Sequence, residues 1–396
     1  PPNLSPGVLP KLVAAGINDW GGVSPLTPDH VNPEAPWPHL ETLARETEQA
    51  GKFLEQRLTL YPQYVTESGF WLAEEVRPFV LRQADSDGFA KRDTWHPGAN
   101  RPLPELDMGL LRRPADATKV SAELREIVAK CRGREALDSA EIVRLFQARG
   151  PEFGYVCHEA DALRREVNGD RVSFAVNRNI NYTNVCYFKC SFCAFSKGKQ
   201  HEHLRGRPYD ISAEEIARRC REAWDRGATE VCMQGGIHPD YTGQTYLDIV
   251  ATVKQATPAM HIHAFSPLEV RQGAETLGLS LTDFLRQLQL AGLDTLPGTA
   301  AEILHDEVRQ IICPDKLNSA EWLEVMEAAH ATGFNTTATI MFGHVDRAEH
   351  WAAHLLAIRA LQARTGGFTE FVPLPYVHME APMYLRGLSR RGPSFR

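Results

Sequence analysis

No run of consecutive apolar side chains in these 396 residues approaches the roughly 18 needed to cross a bilayer, and no signal-peptide pattern opens the chain. Excess positive charge is missing too. Lys and Arg number 43 against 50 Asp and Glu, a formal net charge of −7, which gives no overall attraction for nucleic acid. Cysteine is scarce, eight in all, and five of them (Cys131, Cys157, Cys220, Cys232 and Cys313) stand singly. That distribution suits a reducing cytoplasm rather than a disulfide framework, and the five read as inert thiols. The expectation is a cytoplasmic chain without membrane or nucleic-acid partners, long enough for one large domain or two.

The remaining cysteines are concentrated. Cys186, Cys190 and Cys193 fall in NYTNVCYFKCSFCAFSKGK at spacing C-x3-C-x2-C. An odd number cannot pair fully among themselves. Three thiolates so close can reach three irons of a cubane 4Fe–4S cluster and leave the fourth iron open to chelate a small molecule. Phe192, just before the third cysteine, would lay a flat apolar side chain beside it. A Cys3His zinc site completed by His201 or His203 is the competing reading, although structural zinc ligands usually come in paired C-x2-C or H-x3-H elements. The triplet resembles the signature of the radical S-adenosylmethionine (SAM) enzymes, whose free iron binds the amino and carboxylate groups of SAM.

From about residue 170 short β-rich runs alternate with amphipathic stretches, the mark of parallel βαβ units. Strands are expected at Val172–Val176, Glu230–Gln234, His261–Phe265, Thr295–Pro297, Thr336–Phe342 and Thr369–Pro373. Ser212 with Glu215, Thr282, and Ser319 with Trp322 are the expected helix starts, and Gly333 a stop. Six such units predict an α/β fold, a TIM-type barrel or most of one, with the cysteines and Gly235-Gly236 in loops at the active end. Upstream, 120–168 reads as a helical cap on a domain spanning 120–396. The aperiodic 84–119 reads as a linker. Residues 1–83 hold a Pro/Gly-rich loop and a helix over HLETLARETEQAGKFLEQRL.

Other candidates follow the cysteines. Two consecutive glycines let a backbone approach a ligand closely, and Gln234, Gly235 and Gly236 end the second strand. His261 and His263 share one strand face and, with Glu269, offer a possible second metal site. Glu302 reads as a ligand of the SAM ribose or as a helix start. Asn177, Asn179, Asn181 and Tyr182 precede the cysteines, and asparagine is poor in strands, which favours polar-ligand roles. Arg309 and His344 are possible substrate contacts.

Together NRNINYTNVCYFKCSFCAFSKGK, MQGGIHPD, LPGTAAEIL and TTATIMFGH resemble, in that order, the 4-hydroxyphenyl transferase half of the FO synthase family, over about residues 120–396. NDWGGVSPLTPDHVNPEAPWP resembles the close of that family's lyase half. The resemblance implies a fragment of a fused two-barrel enzyme, holding a remnant of the first barrel and a second barrel that is incomplete at its end. It implies a 4Fe–4S cluster on the three cysteines and SAM held by Phe192, Gln234, Gly235, Gly236 and Glu302. A reducing electron donor would supply the electron. The substrates implied are L-tyrosine and 5-amino-6-(D-ribitylamino)uracil. Tyrosine would break at Cα–Cβ, its 4-hydroxybenzyl group joining the uracil and 2-iminoacetate leaving. A radical SAM enzyme of the menaquinone futalosine pathway is the alternative within the class, and a non-catalytic zinc-binding protein the alternative outside it.

Overall fold

A computed structural model of the chain describes residues 7–24, 26, 30–31, 33–34, 37–91, 95–112, 116–195 and 207–395. Six strands form where polar and apolar residues alternate: β1 (Asn177–Asn181), β2 (Glu230–Gln234), β3 (His261–Ala264), β4 (Thr295–Leu296), β5 (Asn335–Phe342) and β6 (Phe368–Pro375). All neighbouring pairs are parallel, in the order β1-β2-β3-β4-β5-β6. Parallel neighbours require crossovers, and helices supply every one. They are Ala213–Asp225, Gly243–Ala256, Pro267–Leu277 with Leu281–Ala291, Asp306–Ile312 with Ser319–Ala331, and Ala348–Thr365.

The core lies between sheet and helices. Ile180, Val231, Met233, Ile262 and Leu296 meet Tyr246, Val250, Phe284 and Leu288 there, all fully buried. Each such aliphatic side chain contributes about 1.5–3 kcal/mol of transfer free energy. The alternate residues, including Asn177, Asn179, Cys232, His261 and His263, face the concave side and are only partly covered. The expected α/β fold of six parallel β/α units is what the chain forms, its sheet curled into a half-barrel.

Several local expectations need correction. Val172–Val176 is not a strand; Val172 and Phe174 are 91% and 87% exposed, and pairing starts at Asn177, opposite Glu230. Register with β2 and the burial of Ile180 outweigh the poor propensity of the asparagines. The cap expected at Thr282 is Ser280, whose Oγ accepts from the Asp283 N–H at 3.1 Å. Asn318 rather than Ser319 caps its helix, in a reciprocal box with Glu321, because Ser319 is engaged by Asp306. Ser212 and Gly333 act as expected, Gly333 at φ +91°. The helix expected over 39–58 stops at Gln49, just before Gly51 at φ +76°. Helix Glu105–Arg112 interrupts the expected linker.

The expected helical cap comprises Ala122–Arg132, Ser139–Phe146 and Pro151–Asn168. Buried Glu152 ties the three together. Its carboxylate accepts from Ser121 Oγ at 2.7 Å and from Arg144 Nη2 at 2.7 Å. Among the described residues no helix is long and apolar enough to cross a membrane.

Candidate functional site

The cysteine loop leaves the C-terminal end of β1, and its position is fixed at both sides and in the middle. Thr183 and Asn184 hold the chain as it returns at Arg207–Tyr209: Thr183 Oγ1 donates to the Tyr209 carbonyl at 2.8 Å, and Asn184 Oδ1 accepts from the Tyr209 N–H at 2.8 Å. The Tyr187 N–H donates to the Ile237 carbonyl at 3.1 Å, joining the loop to the turn after β2. Ser191 donates its N–H to Ile312 O and accepts from the Met383 N–H, both at 2.8 Å. Cys186, Cys190 and Cys193 are half-buried on this braced loop, and none of them is in a disulfide.

The glycine pair abuts the same loop. A Cβ at Gly236 would lie 2.3 Å from the Val185 carbonyl oxygen and 3.0 Å from Cys186 Cβ; one at Gly235 would strike the Tyr182 ring. Only glycine fits at either place. The turn is held from below by Glu269, at the start of helix Pro267–Leu277. Its buried carboxylate accepts from the Gly235 N–H at 3.0 Å, from Ser266 N and Oγ at 2.6 and 2.5 Å, and from the Tyr182 hydroxyl. Burial raises the Glu269 carboxyl above its ordinary range, against the pull of those donors. Asn181 Nδ2 donates to the Gln234 carbonyl at 3.2 Å.

On the other side of the loop Cys190 and Phe192 pack with Cys313, Ile340 and Met383. Burial pushes the Cys190 thiol far up, opposed by the nearby Lys316 cation. Lys316 Nζ lies 2.8 Å from Glu302 Oε1 and 5.6 Å from the centre of the Phe192 ring. Glu302 starts no helix, since the next begins at Asp306; it sits in the loop after β4 at φ +46°. Three thiols on one braced loop, with a ring, a cation and a backbone cradle that excludes even a methyl group, fit an iron–sulfur cluster with one open iron. Iron would stabilise as a thiolate Cys190, which burial otherwise keeps protonated.

The family model for the radical SAM superfamily matches residues 180–358. Over that stretch this chain is similar to the radical SAM superfamily. Its curated relatives include the FO synthases of Streptomyces coelicolor, 43% identical over 434 residues, and of Mycobacterium tuberculosis, 44% identical over 435. Both alignments take in 100% of this chain and 50% of the relative, so the chain spans about half the length of those proteins. A 5-amino-6-(D-ribitylamino)uracil–L-tyrosine 4-hydroxyphenyl transferase of Methanopyrus kandleri is 47% identical over 239 residues, which is 60% of this chain and 64% of that protein.

Within the radical SAM domain some expected residues do other work. Arg309 does not reach a substrate site: its buried guanidinium donates to the carbonyls of Leu317, Ala300 and Ala301. His344 is fully buried and bonded to its own turn, through Met341 O and Val345 N. His261 and His263 do share a face, but Glu269 is engaged by Gly235 and Tyr182, so the three form no metal site. His201 and His203, the other zinc candidates, lie outside the described residues. His305, Glu307 and His350 come within 4.8 Å of one another. His350 Nδ1 accepts the Arg347 N–H at 3.1 Å, which leaves the ring proton on Nε2 and no lone pair for an ion. A cavity of about 320 Å³ beside that group, lined by Glu67, Asp85, His350 and Arg390 among others, involves none of the three cysteines.

Lys316 and the bracing role of Glu269 escaped the sequence reading. Tyr182 and Glu269 are 87 positions apart, and no local pattern joins them.

Proposed function

We propose that this chain is a radical SAM transferase unit that joins the 4-hydroxybenzyl group of L-tyrosine to 5-amino-6-(D-ribitylamino)uracil, toward the deazaflavin FO and coenzyme F-420. The observation that carries the reading is the 47% identity to a protein named for that transfer. The FO synthase relatives support it, and nothing in them favours the futalosine pathway. In this reading residues 1–83 are the close of a preceding lyase-type domain. Residues 84–119 connect it to the transferase domain, 120–396, whose helical cap is 120–168. The chain contains one C-x3-C-x2-C triplet, and the reading assigns it the transfer alone.

Cys186, Cys190 and Cys193 would hold a 4Fe–4S cluster. Reduced by an external cytoplasmic donor, such a cluster supplies the electron that cleaves SAM to methionine and a 5′-deoxyadenosyl radical, which takes hydrogen from tyrosine. The chain's own residues hold and shelter the reactants. Gly235 and Gly236, kept in place by Glu269 and Tyr182, offer bare backbone to the methionine end of SAM beside Gln234. Glu302, held by Lys316, is the acceptor we assign to the SAM ribose. Phe192, packed with Cys313 and Ile340, keeps water from that side.

The test is anaerobic reconstitution followed by mass spectrometry after adding reductant, SAM, tyrosine and the ribitylaminouracil. A hydroxybenzyl–uracil adduct with deoxyadenosine is expected. Deoxyadenosine without adduct would keep the class and remove the substrates; a brown, loaded chain that makes neither would remove the transfer.

A further inference from the structure

The concave side of the sheet carries side chains that none of these steps uses. His261 and His263 stand two apart on β3 and point inward together. Their rings converge on one hydroxyl: His261 Nε2 is 2.9 Å and His263 Nδ1 is 2.8 Å from Thr295 Oγ1. Thr295, on β4, is the register partner of His263.

A threonine hydroxyl has a single hydrogen, so it can donate to one of these rings at most. When it does, the other ring must donate to it. The result is a chain Nδ1–H···Oγ–H···Nε2 from His263 to His261. A proton accepted on the far nitrogen of His263 can then be matched by one delivered to His261.

The two ends differ. Burial lowers His263 below the ordinary imidazole range, reinforced by His261 and opposed by Glu230 and Glu370, so an arriving proton is not retained there. The His261 side chain is 39% exposed, and Glu230 Oε2 lies 3.8 Å from its Nε2. Glu230 and His261 open their strands, at the end of the sheet opposite the cysteine loop.

We propose that His263, Thr295 and His261 are a proton exit, leading from the concave substrate space to Glu230 and water at the far mouth of the barrel. The inference rests on the proposed transfer, which needs such an exit. SAM enters as a sulfonium cation, and its fragments leave as neutral methionine and 5′-deoxyadenosine, the latter carrying a hydrogen from tyrosine. The hydroxybenzyl group replaces one hydrogen of the diaminouracil. That hydrogen departs as a proton and an electron, and a cluster held by the three cysteines, oxidised by one electron on cleaving SAM, would be the acceptor of that electron. The products are methionine, deoxyadenosine, 2-iminoacetate, the adduct and one proton. In the proposed reading the cluster and SAM occupy the cysteine side, which leaves the other end as the proton's route.

The test compares Thr295→Val, which keeps the shape and removes the hydroxyl, with Thr295→Ser, which restores it. In the reconstituted full chain, single-turnover assays should show the adduct-to-deoxyadenosine ratio falling about tenfold to hundredfold in Thr295→Val and recovering in Thr295→Ser. An unchanged ratio in Thr295→Val overturns the proposal, as does a loss that Thr295→Ser fails to recover. Nitrogen-15 spectra of the imidazoles, titrated without substrates, decide the relay separately from the reaction. Besides each other, the titratable groups facing the pair are Glu230 and Cys232 on β2 and Glu370 on β6. The tautomers of His261 and His263 should change together in Thr295→Val and stay as in the wild type in Thr295→Ser. Unaltered imidazole spectra in Thr295→Val would overturn the relay.

Discussion

A methyl group at position 236 has no room, with a carbonyl oxygen at 2.3 Å and the Cβ of Cys186 at 3.0 Å. The alanine variant must displace the backbone that carries Cys186. Gly236→Ala is therefore expected to load less iron per chain after anaerobic reconstitution, while its far-ultraviolet circular dichroism stays near that of the wild type. Lys316 poses a different problem. Its ion pair with Glu302 is largely out of water, both side chains being under 15% exposed. Removing one member strands the other, at a cost of about 3 kcal/mol. Urea unfolding should show that loss for Lys316→Met and a smaller one for Lys316→Met combined with Glu302→Gln, since the two changes are coupled.

Elements are tied by single side chains as well. Glu152 joins the three cap helices, and its carboxyl sits below its ordinary range: burial resists ionisation, but hydrogen bonds from Arg144 and Ser121 outweigh it. Because the folded value lies below the unfolded value of about 4.3, this stabilisation is complete above that pH and fades as the pH falls through the folded value. Glu152→Gln should be less stable than the wild type near neutrality and lose less on acidification below about pH 4, as thermal melts over that range would show. The order of the strands and the loops bearing Cys186, Cys190, Cys193 and Gly235-Gly236 could be read in the sequence, because spacing and alternation are local signals. What could not be read depends on distant partners. Val172 and Phe174 look like strand residues, yet nothing covers them, while Asn177–Asn181 pairs because β2 offers matching backbone. Arg309 looked like a substrate contact because its carbonyl partners are set by the turns after β4, which no motif announces.

Across the whole molecule, buried histidines set the response to acid. Burial lowers His354 to about 3 and His378 to about 4, so both are neutral in the folded chain. An unfolded histidine takes its proton near 6.5, so between that pH and the folded values the unfolded chain binds more protons and stability falls as the pH is lowered. Each such residue costs about 1.4 kcal/mol per pH unit in that window. The melting temperature should drop steadily from pH 7 to 5, before most carboxylates titrate, and less steeply in His354→Gln. Ser191 has a longer reach than its size suggests. By exchanging backbone hydrogen bonds with Ile312 and Met383, it knots the cysteine loop to a segment nearly 200 positions later in the chain. Protease nicking near Pro382–Leu388 should therefore report from outside whether the cysteines are loaded, slow with iron in place and fast once oxygen has stripped it.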